Sequence, residues 1–274
     1  MIAKPEITLT EMLQAIEDYP YLRECFSSHL KWLFEKCGDE KKDDHIYLKI
    51  ATGRNSLGNL EKIFKEAGRT LGLDEYGLHK ALDFDSASDC NDIFKLGDYL
   101  AELRIAVELG KLNFTEIRKI DNQEGCTDFV ARFQGAKFAI EVKNIREKEL
   151  LEDLNDGSYK DEIQFLGDLR GAYFGTLSEA EAKSLLVGLE RRFRSLKDQE
   201  RIKEQLKNTV ENYNCQSTML IISIETITGI GFSTDFIEQC LNQVKTKYPI
   251  SNYLACFLSG NDMYIYPKLF TENT

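Results

Sequence analysis

Asp128, Glu141 and Lys143 are the residues whose types and spacing are best suited to chemistry. Glu141 and Lys143 are two positions apart, so on a β-strand their side chains project from the same face. Neighbouring carboxylates repel each other unless a cation compensates, and Mg²⁺ is usually held by one or two carboxylates with waters and phosphate oxygens. A lysine beside them could hold an attacking water or stabilise charge that develops on phosphorus. The combination predicts metal-assisted hydrolysis of a phosphodiester.

A β-hairpin would bring the two acids together. Gln134-Gly135 lies between two strand-like segments and is typical of a two-residue hairpin turn. In the register that this turn imposes, Asp128 stands directly opposite Glu141, with Cβ atoms roughly 5 Å apart. The reverse face becomes continuously apolar, and its residues are Phe129, Ala131, Phe133, Ala136, Phe138 and Ile140. A slip of one residue would destroy both faces, so the residue pattern supports the register independently of the turn.

Asp128, followed on the next strand by Glu141-Val142-Lys143, resembles the core motif of the PD-(D/E)XK nuclease superfamily. Members of that superfamily have the restriction-endonuclease-like fold. Thr127 stands where the name of the motif has proline. The resemblance covers residues 96–145 well and does not extend to residues 1–95.

The resemblance implies a role for each motif residue. Asp128, Glu141 and the backbone carbonyl of Val142 would hold Mg²⁺, with Mn²⁺ as a substitute. Lys143 would position or activate the water that attacks phosphorus. The implied activity is that of a metal-dependent endonuclease acting on DNA, in restriction, phage defence or repair.

A further metal-site glutamate is often carried by a helix before the first core strand of that superfamily. Residues 97–106 resemble this helix, and Glu102 is the candidate on it. Glu108 remains a competitor, because on a helical wheel both glutamates flank the apolar stripe, with Glu102 slightly nearer its centre. The stripe consists of Leu96, Leu100, Leu103 and Val107.

Two more sets of residues are candidates beyond the hairpin. Gln164 stands where relatives often place a polar residue near the metal, although an ordinary helix residue is the simpler interpretation. Arg191, Arg192 and Arg194 lie on a long charged helix predicted at about 180–212, and they are our candidates for phosphate contacts. A solvated helix face with ion pairs between successive turns is the simpler interpretation of this charge pattern.

The order of the predicted elements is helix, three strands, helices, strand, helix and two strands. It predicts an α/β fold: a helical N-terminal region at 1–95, then a restriction-endonuclease-like domain at 96–274 with a central mixed sheet. The helices after the N-terminal region are predicted at 96–109, about 180–212 and 234–247. The strands are predicted at 114–120, 127–133, 137–143, 219–225, 253–258 and 263–266.

The N-terminal region is predicted to consist of several short helices. The first opens with a capping box formed by Thr8 and Glu11, and another runs over 57–71. A polar connector at 83–92 sets the predicted domain boundary. The region could recruit a protein partner, and cutting both strands of a duplex would favour a homodimer.

Composition limits how the chain could contact nucleic acid. The formal net charge is −11 and the pI is about 5.0, which excludes a protein coated in basic surface. A nucleic-acid contact must therefore be local. Seven cysteines without CxxC pairs indicate a reducing compartment. Because the chain has neither a signal-like N-terminus nor a long apolar run, we expect a cytoplasmic protein without a membrane partner.

A different class of function stays open. The same fold could serve as a non-catalytic nucleic-acid-binding or assembly module, with residues 1–95 recruiting a partner. A simpler interpretation of the motif residues is that Asp128, Glu141 and Lys143 sit on a solvated sheet face, where Lys143 only bridges the acids. Degenerate members of such superfamilies usually lose a metal ligand or the lysine. All three core residues are present here, which favours the enzyme.

Overall fold

The computed structural model describes residues 8–36, 57–82, 95–120, 125–145, 196–224, 234–258 and 263–269. They belong to two compact units, Met1–Asn113 and Phe114–Thr274. The helices described in the first unit are α1 (Leu9–Ala15), α2 (Pro20–Lys36), α3 (Leu57–Leu71), α4 (Glu75–Leu82) and α5 (Lys95–Lys111). The elements described in the second are β1 (Thr115–Lys119), β2 (Phe129–Phe133), β3 (Ala136–Ile145), α6 (Leu196–Tyr213), β4 (Ser217–Ile224), α7 (Thr234–Lys247), β5 (Tyr253–Leu258) and β6 (Met263–Tyr266).

Two helices of the first unit begin at clear capping interactions. The Thr8 hydroxyl accepts from the Glu11 amide, and the Glu11 carboxylate accepts from the Thr8 amide, which confirms the predicted capping box. The hydrogen bonds from the Thr8 backbone and hydroxyl lower the pKa of Glu11 because they stabilise its carboxylate. The start of α2 is capped from a distance: the Glu61 carboxylate on α3 accepts from the amides of Tyr21 (3.2 Å) and Leu22 (3.0 Å).

Helix α5 belongs to the first unit, so the observed division follows Asn113, whereas the sequence placed the boundary near residue 95. The physical reason is packing between helices, because α5 lies against α3. A Cβ atom on Gly110 would lie only 3.1 Å from Cγ2 of Thr70 on α3. Burial on α5 is also wider than the predicted stripe, and the buried residues are Leu100, Ala101, Leu103, Ile105, Ala106 and Leu109.

The second unit is built on one six-stranded mixed sheet, with the strand order β1-β2-β3-β4-β5-β6. Strands β1, β2 and β3 form an antiparallel meander, β3, β4 and β5 run parallel, and β6 is antiparallel to β5. This confirms the predicted α/β class, the central mixed sheet and the order of the described elements. The limits of α7, β5 and β6 coincide with the prediction, and the other strands differ by a few residues at their ends.

Helices α6 and α7 pack against the sheet and share one buried apolar cluster with it. The strand residues of that cluster include Val130, Ala139, Leu220, Ile222, Leu254 and Cys256, and the helix residues are Ile202, Leu206, Leu241 and Val244. Because side chains alternate along a strand, Glu141 and Lys143 project from the same face as Ala139. Helices α6 and α7 therefore cover the face of the sheet that carries the candidate residues.

The opposite face of the sheet is also buried. It is lined by residues that include Phe129, Phe133, Phe138, Ile140, Met219 and Ile221. The Phe114 ring packs against Phe133 and Phe138, with ring centroids 4.8 and 5.7 Å apart. Burial on both faces explains why β4 is an almost continuous apolar run. Among the described residues, no helix combines the length and the apolar composition that crossing a bilayer requires.

Candidate active site

The β2–β3 hairpin has the predicted register. Phe133 pairs with Ala136 across a two-residue turn, and the pairing continues without a shift to Phe129 and Ile140. Gln134 and Gly135 both have positive φ, 47° and 85°, as the two central residues of a type I′ turn require. The turn therefore sets a register that, extended by one pair, puts Asp128, one residue before β2, opposite Glu141.

The Asp128 side chain crosses to the neighbouring strand. Its Oδ2 accepts a hydrogen bond of 2.7 Å from the backbone amide of Val142, which follows Glu141 in the chain. Its backbone carbonyl accepts from the amide of Ile120, at 2.9 Å, beyond the end of β1. Where the ladder between β2 and β3 ends, the Asp128 carboxylate thus accepts the hydrogen bond that a main-chain carbonyl would accept within the ladder.

The Val142 backbone fits the ligand role that the resemblance implies. In an antiparallel ladder, the N–H and the C=O of a strand residue point toward the same neighbouring strand. Since the Val142 amide meets Asp128, we expect its carbonyl to face the same side of β3. There the Val142 carbonyl would lie next to the Asp128 carboxylate and would not pair with β4.

Glu141 is buried, with 1% of its surface exposed. Its partner across the parallel ladder is Leu220, a member of the apolar cluster under α6 and α7. Lys143, whose side chain is 32% exposed, forms an ion pair with Glu141. A buried carboxylate needs charge compensation because desolvation of an ion is expensive. The solvated sheet face considered from the sequence is therefore wrong for Glu141.

The loop before Asp128 is held by side chains of α6. Thr209 Oγ1 accepts from the Thr127 amide at 2.8 Å, and Gln205 Nε2 donates to the Cys126 carbonyl at 3.2 Å. Asn208 Nδ2 donates to the carbonyl of Gly125 at 3.1 Å. Sequence reasoning did not identify this polar row. The available signal was polar residues at helical spacing on a helix whose Ile202 and Leu206 face the core.

The structure describes only some of the predicted site residues. Glu102 lies half-buried on α5 in the first unit, and its position relative to the two carboxylates of the second unit stays a prediction. Its competitor Glu108 accepts a hydrogen bond from Lys111 on the same helix. The remaining candidates lie outside the described residues, and these are Gln164, Arg191, Arg192 and Arg194. The predicted connector at 83–92 lies outside them as well.

The donor atoms near Asp128 fit a hard divalent cation. The carboxylates of Asp128 and Glu141 and the carbonyl of Val142 offer only oxygen, which Mg²⁺ prefers. Within the described ranges, no cluster of three or more His, Cys, Asp or Glu side chains is arranged to hold a metal ion. One or two carboxylates with waters and phosphate oxygens is nevertheless an ordinary Mg²⁺ set, so the residues present are compatible with that ion.

Buried thiols offer a poorer alternative chemistry. Burial raises the pKa of Cys215, against the opposing influence of the nearby Lys137 ammonium. Burial also raises the pKa of Cys25, and the carboxylates of Glu24 and Glu61 add to the effect. Both groups are therefore neutral thiols near pH 7, which are weak nucleophiles.

The hairpin thus joins a carboxylate at the end of one strand to a buried carboxylate and a lysine on the next. Asp128 is fixed by the Val142 amide, and Glu141 is paired with Lys143. Comparisons of the chain with protein-family models, with curated proteins and with solved structures gave no match.

Proposed function

We propose that this chain is a metal-dependent nuclease that hydrolyses phosphodiester bonds, with DNA as the substrate. The single observation that carries the proposal is the site on the β2–β3 hairpin. There Glu141 is buried and pairs with Lys143 of its own strand, and Asp128 is bound to the amide of Val142, the residue that follows Glu141. A buried acid near a second acid is an expensive arrangement, and a metal site gives a reason for it.

The charge of the site favours a cation. Counted by formal charge, Asp128 and Glu141 contribute two negative charges and Lys143 one positive charge, so the three side chains sum to one net negative charge. An anionic phosphate would be repelled by that charge, whereas a divalent cation would be attracted and would reverse its sign. The metal explains how an acidic site in an acidic chain could accept a nucleic-acid backbone.

Each residue then has a defined task. The carboxylates of Asp128 and Glu141, with the Val142 carbonyl, would hold Mg²⁺ or Mn²⁺. The bound ion would supply positive charge that polarises the phosphate and stabilises the leaving oxygen. Lys143 holds and orients the attacking water and offers its ammonium charge to the phosphate oxygens. The Val142 amide orients the Asp128 carboxylate through its 2.7 Å hydrogen bond.

The sheet is compatible with a restriction-endonuclease-like core of the PD-(D/E)XK type. Its first three strands form an antiparallel meander, and β4 then adds parallel to β3, the strand that carries Glu141 and Lys143. Helices α6 and α7 flank this part of the sheet. In this proposal the nuclease would act in restriction, phage defence or repair, inside the cytoplasm.

A non-catalytic nucleic-acid-binding or assembly module is the second candidate. The observation that favours it is the ion pair between Lys143 and Glu141, which could compensate the buried carboxylate permanently. In that case the lysine would serve stability only. Metal would then neither bind nor change the behaviour of the chain.

Cleavage assays decide between the two candidates. Wild-type protein is incubated with single- and double-stranded DNA and with RNA, with Mg²⁺, Mn²⁺ or EDTA, beside the isosteric variant Glu141→Gln. The matched control is Glu116→Gln, which removes an exposed acid of β1 that pairs with Arg132. We expect metal-dependent cleavage of DNA that falls roughly 100-fold or more in Glu141→Gln and is unchanged in Glu116→Gln. Equal cleavage by Glu141→Gln and wild type would contradict the proposal, as would a folded wild type that is inactive with every metal and substrate.

A further inference from the structure

Residues 125–127, which we call the anchor loop, lead directly into Asp128 and are bound to α6. Three of its backbone groups meet three side chains of that helix. The Thr127 amide donates to Thr209 Oγ1 at 2.8 Å, the Cys126 carbonyl accepts from Gln205 Nε2 at 3.2 Å, and the Gly125 carbonyl accepts from Asn208 Nδ2 at 3.1 Å. The helix therefore satisfies backbone groups that a neighbouring strand would otherwise pair.

The contact between Thr127 and Thr209 is the most buried of the three. Thr209 has 0% of its surface exposed and Thr127 has 3%. Water cannot replace a partner at such a position, so loss of the Thr209 hydroxyl leaves a buried amide without an acceptor. The loop must then move to regain a hydrogen bond, and Asp128 is the next residue along the chain.

Asp128 is sensitive to such a movement. Its carboxylate reaches Val142 over a 2.7 Å hydrogen bond, and it lies outside the regular ladder, which begins with Phe129 and Ile140. The ladder fixes the residues that follow Asp128, and the anchor loop fixes those that precede it. Without the anchor loop, Asp128 would keep its own contacts with Ile120 and Val142, but the chain that precedes it would no longer be held.

We propose that Thr209 is a positioning residue for the active site: through the anchor loop it aims the Asp128 carboxylate at β3. This inference rests on the proposed nuclease function, because the direction of Asp128 matters for catalysis only if that carboxylate binds metal. Gln205 and Asn208 assist by holding the two preceding residues of the loop. A purely structural Thr209 would stabilise α6 on the sheet without changing the carboxylate.

Three variants separate positioning from general stability. Thr209→Val keeps the shape of the side chain and removes the hydroxyl acceptor, and Thr209→Ser restores that acceptor. Ile202→Val is the matched control, because it trims a core residue of the same helix and removes none of the hydrogen bonds to the anchor loop. All three are measured in the full chain after a check of folding by thermal unfolding.

The first readout is amide hydrogen exchange at Val142, whose acceptor is Asp128 itself. In Thr209→Val we expect exchange at Thr127 and Val142 to rise about tenfold relative to ladder amides such as Ala131, whereas Ile202→Val shifts all of them together. The second readout is binding of Mn²⁺ without nucleic acid, which should weaken roughly 10- to 100-fold in Thr209→Val only. Thr209→Ser should recover both values.

The outcomes are distinguishable. If wild-type protein binds Mn²⁺ and cleaves DNA, but Thr209→Val keeps the wild-type Mn²⁺ affinity and Val142 exchange, the positioning role is overturned and the nuclease proposal stands. If folded wild-type protein neither binds Mn²⁺ nor cleaves DNA, the proposed function is overturned. The positioning role of Thr209 is then overturned as well, regardless of the hydrogen-exchange results. Selective loss in Thr209→Val with recovery in Thr209→Ser supports both.

Discussion

The two ends of the β2–β3 hairpin both place like charges opposite each other, and they resolve the repulsion differently. At the turn, Arg132 pairs with Lys137 across the ladder. Arg132 is held by Glu116 of β1 at 2.9 Å, and Lys137 donates to the Tyr213 carbonyl at the end of α6 at 2.8 Å. Each cation therefore has its own partner on a different element.

At the open end, the two acids meet a backbone amide and a lysine. Asp128 is bound by the Val142 amide, and Glu141 is bound by Lys143 from its own strand. Of the two acids, Glu141 is buried and Asp128 is partly buried. At the turn each cation meets an acceptor on another element, whereas the open end carries two acidic residues and one lysine, and under the proposed function a divalent cation would compensate the acids. The comparison indicates that the partners of two like charges, and not their opposition alone, separate a structural position from a candidate functional one.

The largest expected effect is on the rate of DNA cleavage, which should depend on the open end of the hairpin and not on the turn. Asp128→Asn should lower the rate of metal-dependent DNA cleavage roughly 100-fold or more, because it removes a ligand charge while preserving shape. Arg132→Gln, at the turn end of the same face, should leave the rate close to that of wild type. The measurement is initial cleavage rate at saturating Mg²⁺. Similar losses in both variants would remove the functional distinction between the ends.

The next effect concerns stability. Lys143→Met leaves Glu141 buried without its ammonium partner, and we expect it to lower the free energy of unfolding by about 1–3 kcal/mol, a range reduced for the partial exposure of Lys143. Lys137→Met removes a hydrogen bond at the end of α6 and should cost about 1 kcal/mol.

Urea unfolding in EDTA measures both values, with the double variant Lys143→Met/Glu141→Gln as the control. The double variant should regain part of the loss, since it no longer buries a carboxylate that has lost the Lys143 ammonium. A Lys143→Met protein as stable as wild type would mean that the ion pair contributes nothing to the fold.

The smallest effect tests the turn itself. Gln134 has a φ of 47°, a conformation that glycine and asparagine adopt at little cost. Gln134→Gly should therefore stabilise the chain by about 0.5–1 kcal/mol in urea unfolding, without changing cleavage. Gly135→Ala, at a φ of 85°, should destabilise it by a similar amount. Destabilisation by Gln134→Gly would show that the turn is under no such strain.

Much of the sheet could be predicted because the residue patterns that determine it lie within short segments of the chain. The turn Gln134-Gly135 and an alternating apolar pattern determine the hairpin register, and the observed pairs agree with it. Residues 253–258 and 263–266 form strands where short apolar runs flank a polar turn sequence. The hydrogen bond between Asp128 and the Val142 amide follows from the same register, whereas the approach of the Asp128 carboxylate to that of Glu141 stays a prediction.

The remaining features depend on contacts between distant segments. Glu141 is buried on a strand that packs against α6, and the Thr127–Thr209 bond joins residues 82 positions apart. The assignment of α5 to the first unit results from its packing on α3. No local pattern encodes these contacts. In β1, Glu116 has a φ of 48° at an irregularity in the ladder, although glutamate shows no preference for that conformation.

Titration with Mn²⁺ in the absence of nucleic acid tests the central claim most directly. Folded wild-type protein and the double variant Asp128→Asn/Glu141→Gln are compared by calorimetry and by the electron paramagnetic resonance signal of free Mn²⁺. The proposal predicts at least one Mn²⁺ site in wild type that is lost in the double variant. Equal Mn²⁺ binding by the two proteins, or no binding by folded wild type, would contradict it.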